Sequence, residues 1–468
     1  MSQSRSRKLA LPSLLALAFA SLLAAGCSSG SMATSAANTP KGSSFVVGTD
    51  APLASVTSFA VQVQSIAAVD SNNNSVQLLS GSPTVDFARF NGLQTLLDMN
   101  NVPVGTYNSI VITLGSGTIG YLDTSTPEPT IKTMPAVIPP TPVTITLANP
   151  LVVANGAAPV GIRMDFNLAK SIQVDSNSQI TGNVTPTFKV NVVAPGDAGA
   201  YIDEFTAGVV SVDTGAQSFV VQGPHGSQVT VNVTSQTRWE DNTALTDLTS
   251  NSIVEISGKL DRTAGTLDAD EVEIVSQNGF YASGQVTYVN PATGPATSFD
   301  LYVRGLQPAN TGLTLGQLAT VDLSGSENYS IYWMEDPLTQ FVFNQSGLLP
   351  GQDVAIGGPA SGAANPQAVT VKRVILRHWG FNGTVVPGSE NSTNGTFQIQ
   401  VNGFAGVLIP QTVTVYILQG TDYRDGWTGF GSITDNAKVR VVGLLLKNPN
   451  NGNTILVGHY VDDMENDN

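Results

Sequence analysis

The sequence predicts an all-β chain, a β-sandwich followed by three small barrels, and three observations carry that prediction. Charged residues make up only 12% of the chain while glycine and proline, 46 and 26 residues, are plentiful, a composition of many turns and few solvated helix faces. Val, Ile, Thr and Phe recur in short alternating runs, SFVVQG at 218–223, QVTVNV at 228–233 and KVRVVG at 438–443, the period of half-buried strands. Beyond about residue 200 the chain also repeats one pattern of five short strands three times, so its second half is a set of like units.

Arg5, Arg7 and Lys8 precede an apolar run from Leu9 to Ala25 that is too short, and too soon followed by polar residues, for a membrane span. Residues 1–26 therefore read as a secretory signal. The run ends in LAAGC, which resembles the bacterial lipobox and contains the single cysteine of the 468 residues. Cleavage between Gly26 and Cys27 would make Cys27 the lipidation site, with acyl chains holding the protein to a membrane of the bacterial cell envelope. The competing reading is an ordinary secreted protein with a stray cysteine in its signal. Residues 27–44 are small and polar and are expected to form a flexible tether. Loss of the leader with its three basic residues takes the formal charge from −15 to about −18, which makes nucleic acid and anionic headgroups poor partners. With Cys27 acylated no thiol remains for a disulfide or a thiolate metal site, so stability must come from apolar burial.

The sandwich is expected over residues 45–197. VPVGTYNSIVITL at 102–114 reads as a turn set by Pro103 and Gly105 that feeds an alternating strand, with Val111 and its isoleucine neighbours available for burial. PVTITL, VGIRMDFNL and TPTFKVNVV follow as later strands. One helix is predicted, over residues 90–100, where Leu93, Leu96 and Leu97 share a helical face. NVVAPGDAGA reads as the linker to the barrels.

The barrel units are expected at 203–277, 279–379 and 380–463. Each opens on Gly-x-Val, at Gly208, Gly284 and Gly383, and its second strand ends in glycine. Five short antiparallel strands with a longer excursion after the third is the rhythm of an OB-like barrel. The starts lie 76 and 99 residues apart, so the units are expected as beads on a string with variable loops. GVVSVDTGAQSFVVQG and SIVEISGKLDRTAGTLDADEVEIV of the first unit resemble the bacterial domain of unknown function 5666, an OB-like domain of envelope proteins. FVVGTDAPLASVTSFAVQVQSIAAV and VDFARFNGLQTLLDMNNVPVGTYNSIVITL resemble domain of unknown function 4382. Turns of the latter kind also occur in prealbumin-like sandwiches. The resemblance implies architecture and location; it carries no assigned catalytic residue.

Several apparent motifs fail on context. GSGTIG at 115–120 matches a dinucleotide pattern, but YLDTSTPEP cannot form the helix that must follow. DSNNNS at 70–75 opens like a calcium loop, yet Ser75 and Gly81 stand where glycine and a bidentate Glu are needed, so a hairpin turn is expected. His225, His378 and His459 fall one per unit without ligand spacing, and a metal site from them would have to form between domains. The G-x-S-x-G match, GCSSG at 26–30, falls at the end of the signal rather than on a strand-to-helix elbow, and most acids read as solvated turn residues. No catalytic residue, metal or cofactor is therefore expected. One recurrence stands out: an aromatic beside acids after each third strand, Trp239 with Glu240, Tyr332 and Trp333, then Tyr423 and Trp427. Such residues either stack on sugar rings at OB-type loops or cap the barrel mouths, and the cap reading is preferred. The function expected is a lipid-anchored, non-enzymatic interaction or surface-structure module, facing the periplasm or the outside, whose partners are envelope glycans or proteins. The alternative is a carbohydrate-binding lipoprotein that uses the aromatic loops.

Overall fold

In a computed structural model of the chain, residues 40–464 are described except 52–55, 124–129, 177–178, 224–227, 262–265, 309–310, 333–340, 360–367, 404–407, 410–411 and 425. The signal, Cys27, His225 and Trp333 lie outside the described residues. The described chain is almost wholly β, arranged in several sheets.

The N-terminal part pairs two sheets. In the first, Lys41–Ala51 runs antiparallel to Thr95–Pro103 and parallel to Val160–Asn167, which pairs in turn with Phe188–Val193. The strand from Lys41 begins inside the stretch expected as tether. The second sheet is built on Val56–Asp70 and Gly105–Asp123, with Thr130–Ala136 and Val143–Val153 beside them. Alternation fills the space between the sheets: Val46, Leu97, Ile162, Met164 and Phe166 from one meet Phe59, Val61, Ile110 and Ile112 from the other in one core. Phe166 stands edge-on to Phe59 and Phe87, each with ring centroids 5.1 Å away. GSGTIG lies within the long strand Gly105–Asp123. DSNNNS is the expected hairpin turn, closed by Asp70 Oδ1 accepting from the Asn72 and Asn74 amides, each at 2.8 Å.

The predicted helix over 90–100 is not formed. A short 3-10 turn covers Phe87–Phe90 and a strand, Thr95–Pro103, takes the rest. The three leucines suit a helix in spacing because three different cores each claim one. Leu97 enters the N-terminal core, Leu96 on the opposite face enters the first barrel, and Leu93 packs on Val442 and Tyr460 of the third.

Each later unit contains the five strands that its recurrence predicts. In the first they are Tyr201–Asp213, Ser218–Gln222, Gln228–Asn232, Ile253–Leu260 and Leu267–Ser276, and the fifth closes the ring by pairing parallel with the third at Val231↔Leu267. In the third unit, Trp379–Val385, Thr396–Val401, Thr412–Arg424, Lys438–Lys447 and Thr454–Asp463 form a closed barrel in the same order. The second unit repeats it, with its last strand split into Ala368–Thr370 and Arg373–Arg377. Gly258 and Gly443 sit at the same bulged point of the fourth strand, where a Cβ would come within 2.2 Å of the Asp268 carbonyl and 2.1 Å of the Val457 carbonyl. Only glycine fits that approach.

The units are not beads on a string: Pro40–Asn468 forms one compact body. The supposed linker is a turn tied by Asp197 to Ala194, and Val193 just before it is already in the first barrel's core. Phe45 and Val47 on the outer face of the first sheet enter that same core. Leu444, Leu446, Ile455 and Val457 of the third barrel extend the core of the second.

Candidate functional site

The aromatics singled out in the sequence do not form one equivalent set. Trp239 and Trp427 are half-buried, each packed against its own barrel core. Tyr423 is likewise half-buried on the third barrel, and Glu240 is held 2.6 Å from Arg238 Nε. Tyr332 corrects the stacking expectation. It is fully buried between the first two barrels and its hydroxyl donates to Ser257 Oγ at 2.8 Å, so it offers no face to a sugar. His378 and His459 do meet, with ring centroids 4.9 Å apart. Burial drives both toward the neutral form, His459 down to about 3. Among the described residues no three His, Cys, Asp or Glu side chains group in a way that could hold a metal ion.

The chemistry concentrates instead where the units join. The strand Ile253–Leu260 is buried on both sides: Val254 and Ile256 face the barrel core, and Glu255 and Ser257 alternate outward against the second barrel. Arg377 gathers the outward acids. Its Nε donates to Glu255 Oε1 at 2.8 Å, its Nη1 lies 3.2 Å from Asp353 Oδ1, and its Nη2 binds Glu204. Arg373 similarly joins Glu273 and Asp241 of the first barrel. Toward the N-terminal sheets, Asp203 accepts from the Gln94 amide at 2.7 Å and from the Tyr460 hydroxyl at 3.1 Å, which ties three units together. Arg304 donates from Nη2 to the Thr57 carbonyl at 2.7 Å, lies 3.6 Å from Asp86, and stacks 4.3 Å over the Trp379 ring.

Four of these carboxyls, Asp203, Glu204, Glu273 and Asp353, are costly to ionise. Burial pushes Glu204 and Glu273 up to about 8 against the pull of Arg377 and Arg373, and pushes Asp203 and Asp353 up to about 6. A group with a raised folded-state pKa stabilises below its unfolded value, and that contribution is lost as pH rises through the folded value. The two histidines act oppositely, but only below about 6.5, their unfolded value. From pH 6.5 to 8.5 the glutamates therefore dominate, and stability should fall by on the order of 1–2 kcal/mol for each of the two. Calorimetric melting across that interval should show a declining Tm, with a shallower slope in Glu273→Gln; a flat or rising wild-type profile would refute this.

Beside the junction lies a cleft of about 510 Å³, walled by the N-terminal sheets and the first two barrels. Its lining mixes hydroxyl and amide side chains with apolar surface, and its charged residues are Asp86, Arg89 and Arg304. The sequence-based reading missed it because its walls come from strands far apart in the chain. The fold and cleft define an all-β, multi-barrel protein with an internal junction and a cleft of mixed polar and apolar lining beside it.

Residues 44–186 match the family model for a domain of unknown function, DUF4382, and residues 207–273 match that for another, DUF5666. No curated protein matches the chain. Among solved structures the chain is similar to "drosophila Unr CSD456", at 9% identity over 54% of this chain and 94% of that one, with a TM-score of 0.15. A likeness at that level sets no constraint on function.

Proposed function

We propose that the protein is a lipid-anchored bacterial envelope protein that works as a rigid, non-enzymatic binding module. The observation that carries this reading is the buried junction. Arg377, Arg304 and Asp203 link successive units through side chains withdrawn from water, a construction suited to presenting a fixed surface rather than to flexing about a reactive centre. The strand order of the barrels supports an OB-type reading. Trp239 and Trp427, seated on their own cores, fit structural caps better than sugar platforms. Anchoring rests on LAAGC and its Cys27. Cys27→Ser should abolish incorporation of a fatty-acid analogue and release the protein from membranes or leave its leader uncut. Unchanged labelling would remove the lipoprotein reading.

A further inference from the structure

Arg89 stands apart from the other junction arginines. It belongs to the 3-10 turn Phe87–Phe90 and lines the cleft, with its side chain 19% exposed. Its ion pair, with Glu204 Oε2, is 3.9 Å long and outside hydrogen-bond reach, and Glu204 Oε2 is already taken by Arg377. Its ring contact is with its neighbour Phe90, 5.8 Å from the centroid. The guanidinium reaches across to the second barrel, where Nη1 lies 3.2 Å from the point a Cβ would occupy on Gly305. A Cβ there would crowd Ser283 Oγ first, at 2.5 Å, and the fork next. A guanidinium held at a cleft wall without a hydrogen-bonded acceptor among the described residues has donors suited to a planar oxyanion.

The surroundings sharpen the ligand class. The chain carries 35 acids against 20 Lys and Arg, yet the cleft reverses that balance with two arginines and one aspartate. Thr206 Oγ1 is buried in the wall without a hydrogen-bond partner among the described residues. Thr118 and Gln317 stand exposed at the rim. The volume of about 510 Å³ falls in the range of roughly 300–1,000 Å³ typical of small-molecule sites.

We infer that this cleft binds a hydroxylated carboxylate, a sugar acid or the uronate residue of a glycan, with Arg89 clamping the carboxylate and the threonine and glutamine side chains meeting the hydroxyls. The inference rests on the binding-module reading above and names its ligand. A carboxylate would receive two parallel, charge-assisted N–H donors from the fork, where the hydroxyls of an uncharged sugar would accept weaker, neutral hydrogen bonds.

Titration calorimetry on the full-length chain in detergent, with D-galacturonate, its linear trimer and uncharged D-galactose as probes, tests this. Galacturonate or its trimer should bind with one-to-one stoichiometry, and galactose at least tenfold more weakly. A tighter trimer assigns the site to a polysaccharide, and equal affinities assign it to a free sugar acid. Arg89→Gln should weaken galacturonate at least tenfold. Thr118→Trp, which fills the rim without altering Arg89, should do the same and keeps the test decisive if Arg89→Gln fails to fold. Equal binding of galactose and galacturonate, no binding of either acid, or binding unaffected by both variants would overturn the inference. Acylated protein that binds no probe removes the ligand and leaves the anchored module standing; unacylated protein that binds galacturonate does the reverse.

Discussion

Arg377→Met should destabilise the protein by roughly 3–5 kcal/mol, the cost of stranding buried charge when one partner of an ion pair is removed. Arg377 is 2% exposed and faces Glu204, Glu255 and Asp353, all of them buried. Methionine fills much of the same volume, so the loss reports charge rather than a cavity. Burial already raises Glu204 and Asp353, and without the guanidinium that holds them they are harder still to ionise, so the deficit should be larger at pH 8 than at pH 5. Urea unfolding at both values measures it. The double variant Arg377→Met with Glu255→Gln should recover part of the loss, because one stranded charge is gone. A single-variant loss below about 1 kcal/mol, typical of exposed pairs, would show that the junction carries little of the stability.

That junction also marks how far the sequence could be read. Strand composition and the threefold recurrence made the all-β class and the five strands of each barrel legible, since alternation records which side chains enter a unit's own core. Alternation does not record what the other face meets. In LDADEVEIV the acids Glu271 and Glu273 alternate with Val272 and Ile274 as a solvent-facing row would, yet both are fully buried. Arg373, whose ion pair with Glu273 crosses from the second barrel, lies 100 residues further on. The same limit produced the false helix at 90–100: Leu93, Leu96 and Leu97 are neighbours in sequence and serve separate cores. The cleft was illegible for this reason too, as Arg89, Thr206 and Gly305 meet only when three units close on one another. By contrast Tyr332, noticed for its repeated position, proved informative in another sense, because its place between two barrels is structural.

Trp379→Ala should be about as damaging as the loss of Arg377, by a different route. Trp379 opens the third barrel, is 7% exposed and contributes to that barrel's core. Truncating a buried tryptophan typically costs roughly 3–5 kcal/mol. Its ring also supports the Arg304 guanidinium at 4.3 Å, a contact worth about 2 kcal/mol when desolvated. Arg304 reaches from the second barrel to Thr57 and Asp86 of the N-terminal sheets, and the backbone next to Trp379 accepts from Asn91 at Gly380, 2.7 Å away. Loss of the ring therefore removes core volume from one unit and a support shared by three. Hydrogen exchange should rise in the third barrel and also around Thr57 and Asn91, whereas Trp239→Ala, at a half-buried position on the first barrel, should perturb its own unit and cost less. Trp379→Phe retains a π-face under Arg304 and should recover most of the exchange protection around Thr57. If Trp379→Ala instead loosens the third barrel alone, Arg304 does not depend on that ring, and the N-terminal sheets are held by the hydrogen bonds at Thr57 and Gly380 without help from the aromatic.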